Sequence, residues 1–358
     1  MKIKILIVDD SPVVRRLLAD ILSREPDFEV VGQAKNGREA IELVKALRPE
    51  VIILDVEMPV MDGLTALKEI RRLHPKARVI MFSSLTEEGA KETIEALSLG
   101  AFDFVTKPSS GSLTESMQRI RNELLPKIRA AVPVRKPPVL PRRPTPAVPP
   151  RPLPGLKPPV IKPGVYTVLG IGVSTGGPKA LMEIIPKLPA SFPAPVLIVQ
   201  HMPPVFTGQL ARRLDQISSL RVKEASHGEP VQKGTVYIAP GDYHMEVKAS
   251  GKVKNIFLHQ GPPENACRPA VDPLFRSLAE VYNGTTVALV LTGMGQDGMR
   301  GVQRIKERGG VVLAQDEKTS TVYGMPRVVV EAGLADMVLS LPEIPIKLQE
   351  IFMRKGRR

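Results

Sequence analysis

The N-terminal third of the chain alternates short apolar runs with stretches in which apolar residues recur every three or four positions. Residues 5–8, 30–33, 51–54, 79–82 and 102–105 read as strands. After the first of them, Ser11 and Pro12 supply a helix cap and first turn, and Val13, Val14, Leu17, Leu18, Ile21 and Leu22 keep a 3.6-residue period. Asn36-Gly37 and Asp62-Gly63 punctuate the units that follow. Five such units over residues 1–130 predict a parallel sheet covered by helices on both faces, with ligands at the carboxyl ends of its strands.

Residues 164–353 repeat the alternation, with apolar strands expected over 165–173, 196–199 and 287–291. Between the two portions, residues 133–163 hold 13 of the 36 prolines and no acidic residue. Such a segment cannot bury apolar surface and favours extended polyproline II, so it reads as a semi-stiff spacer. The expected division is a domain at 1–130, a basic linker at 131–163, and a second domain at 164–358 that ends in a basic tail.

Composition changes this picture little. With 358 residues, 43% hydrophobic and 24% charged, the chain is long enough for two globular domains. No apolar run approaches the ~18 residues of a membrane span, and the apolar start is too short for a signal peptide, so a cytoplasmic protein without membrane insertion is expected. The net charge of +13 first looks like a nucleic-acid signature. Residues 1–128, however, carry 19 basic and 20 acidic side chains, and residues 164–353 carry 19 and 17. The excess lies in the linker and tail, so no nucleic-acid partner is expected. The single cysteine, Cys267, excludes an internal disulfide and reads as structural.

The predicted strand ends carry the chemistry. In the first domain Asp9 and Asp10 end one strand, Asp55 another and Ser83 a third, while Lys107 follows the last. Crowded carboxylates need a cation, and hard oxygen ligands suit Mg²⁺. A lysine and a hydroxyl opposite them suit a phosphoryl group carried on an aspartate. In the second domain the strand ends lead into Ser174-Thr175-Gly176-Gly177, Gln200-His201 and the Gly-rich turn 293–298 that holds Asp297. Converging on one crevice, Ser174, His201 and Asp297 supply a nucleophile, a general base and the group that orients the base. Backbone N–H groups near Met294 or Thr175 are the candidate oxyanion donors. The run Gly170-Ile-Gly172 also fits a dinucleotide turn, but the next strand lacks the acidic residue that holds a ribose. Gly172-Val-Ser174-Thr-Gly176 fits a nucleophile elbow, yet no histidine follows His259, so the order Ser, Asp, His of α/β-hydrolases is not available.

Two resemblances sharpen this reading. Val8-Asp9-Asp10, Leu54–Pro59, Phe82-Ser83-Ser84 and Val105-Thr106-Lys107-Pro108 resemble the receiver domain of bacterial response regulators. That resemblance implies phosphate transfer from a histidine kinase to Asp55, and Mg²⁺ held by Asp10, Asp55 and the carbonyl of Glu57 with Asp9 assisting. It makes Ser83 and Lys107 readers of the phosphate and Phe104 the aromatic switch. Residues 170–178, Gln200-His201-Met202, Ile238–Gly241, Leu291–Gly298 and Tyr323–Pro326 are similar to the chemotaxis methylesterase domain of the CheB family. The implied fold is two doubly wound parallel-sheet α/β domains, a flavodoxin-like receiver and a Rossmann-like esterase domain, joined by the proline-rich linker. The implied activity is hydrolysis of glutamate γ-methyl esters, and deamidation of particular glutamines, on chemoreceptor cytoplasmic domains. Ser174, His201 and Asp297 would act with Met294 and Thr175 as oxyanion support, under control of the receiver, in a monomer with no cofactor in the esterase domain. The rival reading is a receiver-controlled binding or nucleic-acid regulator without hydrolase activity.

Overall fold

Each helix of the N-terminal unit starts at a residue able to satisfy its own orphan N–H groups. Ser11 accepts from Val14 N, Asn36 from Glu39 N, Asp62 from Thr65 N and Thr86 from Gly89 N, while Ser112 and Glu115 form a reciprocal capping box. Caps of this kind contribute about 1 kcal/mol each. They fix where each strand stops and each helix begins, which is where the polar residues sit.

The protein is described by a computed structural model covering residues 2–108, 112–132 and 161–353. Most of the expected proline-rich linker, residues 133–160, and the basic tail at 354–358 lie outside the described residues. The chain separates into two compact units, Met1–Arg143 and Pro144–Arg358. Among the described residues, no helix is long and apolar enough to cross a membrane.

The first unit runs β1 (Ile3–Val8), α1 (Pro12–Ser23), β2 (Phe28–Ala34), α2 (Gly37–Leu47), β3 (Val51–Asp55), α3 (Gly63–Leu73), β4 (Arg78–Ser83), α4 (Glu87–Ser98), β5 (Asp103–Thr106) and α5 (Leu113–Ala131). Its five strands are parallel in the order β2-β1-β3-β4-β5. The order reverses between β1 and β3, so the crevice at their carboxyl ends is flanked by Asp9, Asp10 and Asp55. The central strand β3 is buried along its whole length, as its Val-Ile-Ile-Leu run requires.

The second unit runs β6 (Val168–Val173), α6 (Gly177–Ile184), β7 (Val196–Gln200), α7 (Phe206–Ile217), β8 (Arg221–Glu224), β9 (Thr235–Ile238), β10 (His244–Ser250), β11 (Val253–His259), α8 (Val271–Tyr282), β12 (Thr286–Val290), α9 (Met299–Glu307), β13 (Val311–Gln315), α10 (Met325–Glu331), β14 (Met337–Leu339) and α11 (Ile344–Phe352). Seven strands form a parallel sheet in the order β14-β13-β12-β6-β7-β9-β8, and β10 and β11 pair apart as an antiparallel hairpin. Strand order reverses between β6 and β12, which makes their ends the switch point of this sheet. Strand β6 begins at Val168 rather than at 165, because Val165 is exposed and its N–H closes a turn onto the carbonyl of Lys162. Helix α8 lies against the sheet and the hairpin, burying Val271, Leu274, Phe275 and Leu278 in one core with Val247, Ile256 and Ala288. That packing fixes the N-terminus of α8 beside the switch point.

Candidate active site

At the carboxyl edge of the first sheet, Asp9 and Asp55 are buried and Asp10 is exposed, and one carboxylate oxygen from each lies within 4.8 Å of the others. Lys107 Nζ sits 3.0 Å from Asp9 Oδ2 and 2.7 Å from Asp55 Oδ2. One ammonium cannot balance three carboxylates. Burial pushes the Asp55 carboxyl up to about 7, with the charges of Asp9 and Asp10 adding to the rise and Lys107 opposing it. Asp9 Oδ2 and Asp55 Oδ2 are buried and meet Lys107 only as ion-pair contacts, without hydrogen-bond geometry. A set of hard oxygen donors with uncompensated charge fits a divalent cation. Glu57 directs its carboxylate to Ser84 Oγ at 3.0 Å, which leaves its carbonyl as the expected ligand atom. Ser83 is buried and donates to the carbonyl of Gly89 at 3.1 Å. Phe104 is buried, with the Lys127 ammonium 5.2 Å from its ring centre.

In the second unit, β6 and β7 are neighbours with Val173 opposite Gln200, so Ser174 and His201 follow directly from paired residues. Ser174 N donates to Thr292 O at 3.0 Å, which ties the same point to the end of β12. Gly176 has φ 79°, a left-handed conformation, and a Cβ there would strike Thr321; glycine is what allows β6 to turn sharply into α6. The buried Gln200 side chain braces the two loops by donating to Ser174 O at 3.0 Å and His201 O at 3.2 Å.

His201 Nε2 lies 2.7 Å from Asp297 Oδ2. Asp297 is 2% exposed and is held by more than the imidazole. Oδ2 also accepts from Val271 N at 2.6 Å, while Oδ1 accepts from Asn265 Nδ2 at 2.9 Å, Asp272 N at 3.2 Å and Gly298 N at 2.9 Å. Two of these donors open α8, so Asp297 receives the favourable end of a helix as well as an imidazole. Burial pushes the Asp297 carboxyl up, but His201 and the backbone N–H groups outweigh it and hold the acid below its usual range. For His201, burial lowers the imidazole, but Asp297 and Cys267 outweigh it and lift it to about 10.

The turn after β12 is braced from the other side. Gly324 N and Met325 N both donate to Gly293 O, at 3.1 and 2.9 Å, and a Cβ on Gly293 would stand 2.7 Å from Ser174 Cβ. The next N–H, that of Met294, has no partner among the described residues. Thr175 is buried, and its carbonyl accepts from Thr292 Oγ1 at 2.9 Å. Ser174, Thr175, His201, Met294 and Asp297 therefore all occur around one switch point, although the described residues place no hydrogen bond between Ser174 and His201.

Cys267, read from the sequence as structural, is half-buried, with its Sγ 3.5 Å from His201 Nδ1. Asn265 and Gln200 were also not foreseen as supports of the site. Asn265 reaches Asp297 only because its loop folds back over a gap of 32 residues, and nothing local in the sequence signals that.

The CheB methylesterase family model matches residues 169–348, and the response regulator receiver domain model matches residues 5–119. A protein-glutamate methylesterase/protein-glutamine glutaminase of Thermotoga maritima is 48% identical over 98% of this chain and 98% of its own length. The chain belongs to the CheB methylesterase family. A Nocardioides protein of the same description is 49% identical over 99% of this chain and 96% of its own length. The crystal structure of the Thermotoga maritima CheB methylesterase catalytic domain is 50% identical, covering 52% of this chain and 98% of that domain with a TM-score of 0.51. The CheB fold of a receiver followed by a parallel-sheet catalytic domain is thus the fold of this chain, and a binding module without hydrolase chemistry is not favoured.

Proposed function

We propose that the chain hydrolyses γ-methyl esters of glutamate side chains on chemoreceptor cytoplasmic domains, and deamidates particular receptor glutamines, under the control of phosphorylation at Asp55. The observation that carries this reading is the His201–Asp297 pair, 2.7 Å apart beside the Ser174 turn. Residues 1–130 are assigned to control and residues 164–358 to catalysis, with the segment 131–163 as the tether. The implied partners are a histidine kinase as phosphodonor and the receptors as substrate, in the cytoplasm, with the chain acting as a monomer.

Ser174 Oγ attacks the side-chain carbonyl while neutral His201 takes its proton through Nδ1. The Nε2–H stays on Asp297, which stabilises the cation without taking the proton. The N–H of Met294, with Thr175 in support, faces the charge that develops on the carbonyl oxygen. His201 then gives its proton to the methoxy oxygen or amide nitrogen, which leaves as methanol or ammonia. A water activated by the same nitrogen hydrolyses the glutamyl-serine ester.

In the first unit, Asp10, Asp55 and the Glu57 carbonyl would hold Mg²⁺, with Asp9 assisting. The ion supplies neutralisation of charge during phosphoryl transfer. Lys107 holds a phosphoryl oxygen, Ser83 exchanges Gly89 O for the phosphate, and Phe104 repacks behind it.

Methanol release from a methylated receptor tests the reading. Ser174→Ala should lower the rate by several orders of magnitude with the fold intact. A wild-type rate from that variant would sink the assignment.

A further inference from the structure

The residues around His201 leave one feature unexplained. Its two ring nitrogens are both engaged, Nε2 by Asp297 at 2.7 Å and Nδ1 by Cys267 Sγ at 3.5 Å. Nδ1 is the nitrogen that Ser174 must use, since Nε2 is committed to the carboxylate. A sulfur therefore stands where the nucleophile's proton has to arrive.

The turn that carries this sulfur is held firmly. Glu264 and Cys267 exchange two backbone hydrogen bonds, at 3.1 and 2.8 Å. Asn265 and Ala266 between them have φ of 51° and 60°, in the left-handed region. Glu264 is clamped by the two terminal guanidinium nitrogens of Arg276 on α8, at 2.9 and 2.6 Å. On the other side Arg268 grips Asp242 Oδ1 at 2.9 and 2.6 Å. From this one turn, Asn265 reaches Asp297 and Cys267 reaches His201, so both members of the couple are set by the same segment.

We propose that Cys267 is a positioning residue for the esterase: its sulfur accepts the Nδ1–H of protonated His201 and holds the base in its resting, proton-loaded form. The sulfur must give way before Ser174 can deliver its proton. The groups that act on the imidazole are Cys267 from this turn and Asp297 from the loop after β12. Asp272 of α8 lies one step further, on the far side of Asn265. Two acceptors facing one ring favour the imidazolium over the neutral ring that Ser174 needs. Cys267 thereby sets the acid limb of the esterase's pH profile and lowers its neutral-pH rate.

This inference rests on His201 being the base, and two of its readouts need no substrate. In the full chain, histidine ring resonances followed by NMR should show His201 titrating lower by about one pH unit in Cys267→Ala, the size expected for losing one close acceptor. The acid limb of methanol release should move down by the same amount, giving a roughly tenfold gain near pH 7. Cys267→Ser keeps an acceptor, and its limb should lie between wild type and Cys267→Ala. Since Cys267 is the single cysteine, its alkylation by iodoacetamide is also unambiguous, and His201→Gln should slow it by removing the cation beside the sulfur. An unchanged or raised His201 titration in Cys267→Ala, or equal alkylation rates with and without the imidazole, would overturn the proposal. If the NMR shift and slower alkylation appear but no receptor methanol is released, the positioning role stands and the substrate assignment fails.

Discussion

Replacing Asp297 by asparagine and by alanine should separate two jobs that the carboxylate performs at once. Oδ1 faces three donors, from Asn265, Asp272 and Gly298, whereas Oδ2 faces Val271 N and His201 Nε2. An asparagine will therefore keep its oxygen on the three-donor side and turn its NH₂ toward His201. To accept from that NH₂, Nε2 must give up its proton, which then sits on Nδ1, so the ring has no lone pair left for Ser174. A wrong-tautomer change of this kind lowers kcat by about 10⁴ in serine proteases, equivalent to about 5.4 kcal/mol at 1.36 kcal/mol per decade. The stability loss should be small, because only Val271 N–H is orphaned, at about 1–3 kcal/mol. Asp297→Ala inverts the pattern. Three buried backbone N–H groups lose their acceptor, two of them at the start of α8, so the loss should be about 3 kcal/mol or more. The imidazole is then free to choose its tautomer, and the residual rate should be at least that of the asparagine variant. Urea unfolding followed by circular dichroism, alongside methanol release from methylated receptor, measures both quantities. An asparagine variant within tenfold of wild type, or one less stable than the alanine variant, would refute the reasoning.

Three further outcomes are expected. The His201 imidazole is raised from 6.5 to about 10 in the folded chain, so its contribution to stability is fully present below pH 6.5 and is lost as pH rises through about 10. Over that window the imidazole should lower unfolding free energy by up to about 1.4 kcal/mol per pH unit, and His201→Gln should remove that part of the slope; an unaltered slope in that variant counts against the assigned titration. A small-molecule phosphodonor with Mg²⁺ should add one phosphoryl group, at Asp55, detectable by intact mass; Asp10→Asn should slow both labelling and loss, and phosphate on an Asp55→Ala chain would contradict the site. A fragment starting near Gly164 should demethylate receptors faster than the unphosphorylated whole chain, with phosphodonor accelerating only the latter. Equal rates would argue against repression by the N-terminal unit.

Much of this protein follows from local physics that a linear sequence carries. Apolar runs of strand length, the Ser11 cap, the Asp62-Gly63 break and a 3.6-residue period in α1 identify the first sheet, because neighbouring residues alone decide those preferences. In open parallel sheets ligands gather at carboxyl ends, so strand-terminal Asp9, Asp55, Ser174 and His201 were legible as chemistry before any packing was known. Strand order was not legible: nothing local makes β12 rather than β7 the switch-point partner of β6, since hydrogen bonding between strands depends on how the crossovers close. The start of β6 at Val168 likewise depends on the turn that exposes Val165. Only the tertiary structure brought α8's first N–H groups, Asn265 and Cys267 to the His201–Asp297 couple. Those contacts join residues 25 to 66 positions apart across loops whose path is set by the Glu264–Arg276 and Arg268–Asp242 pairs. Residue type told which groups were able to react, but the proton on His201 is governed by distances of a few ångströms that the folded chain alone defines.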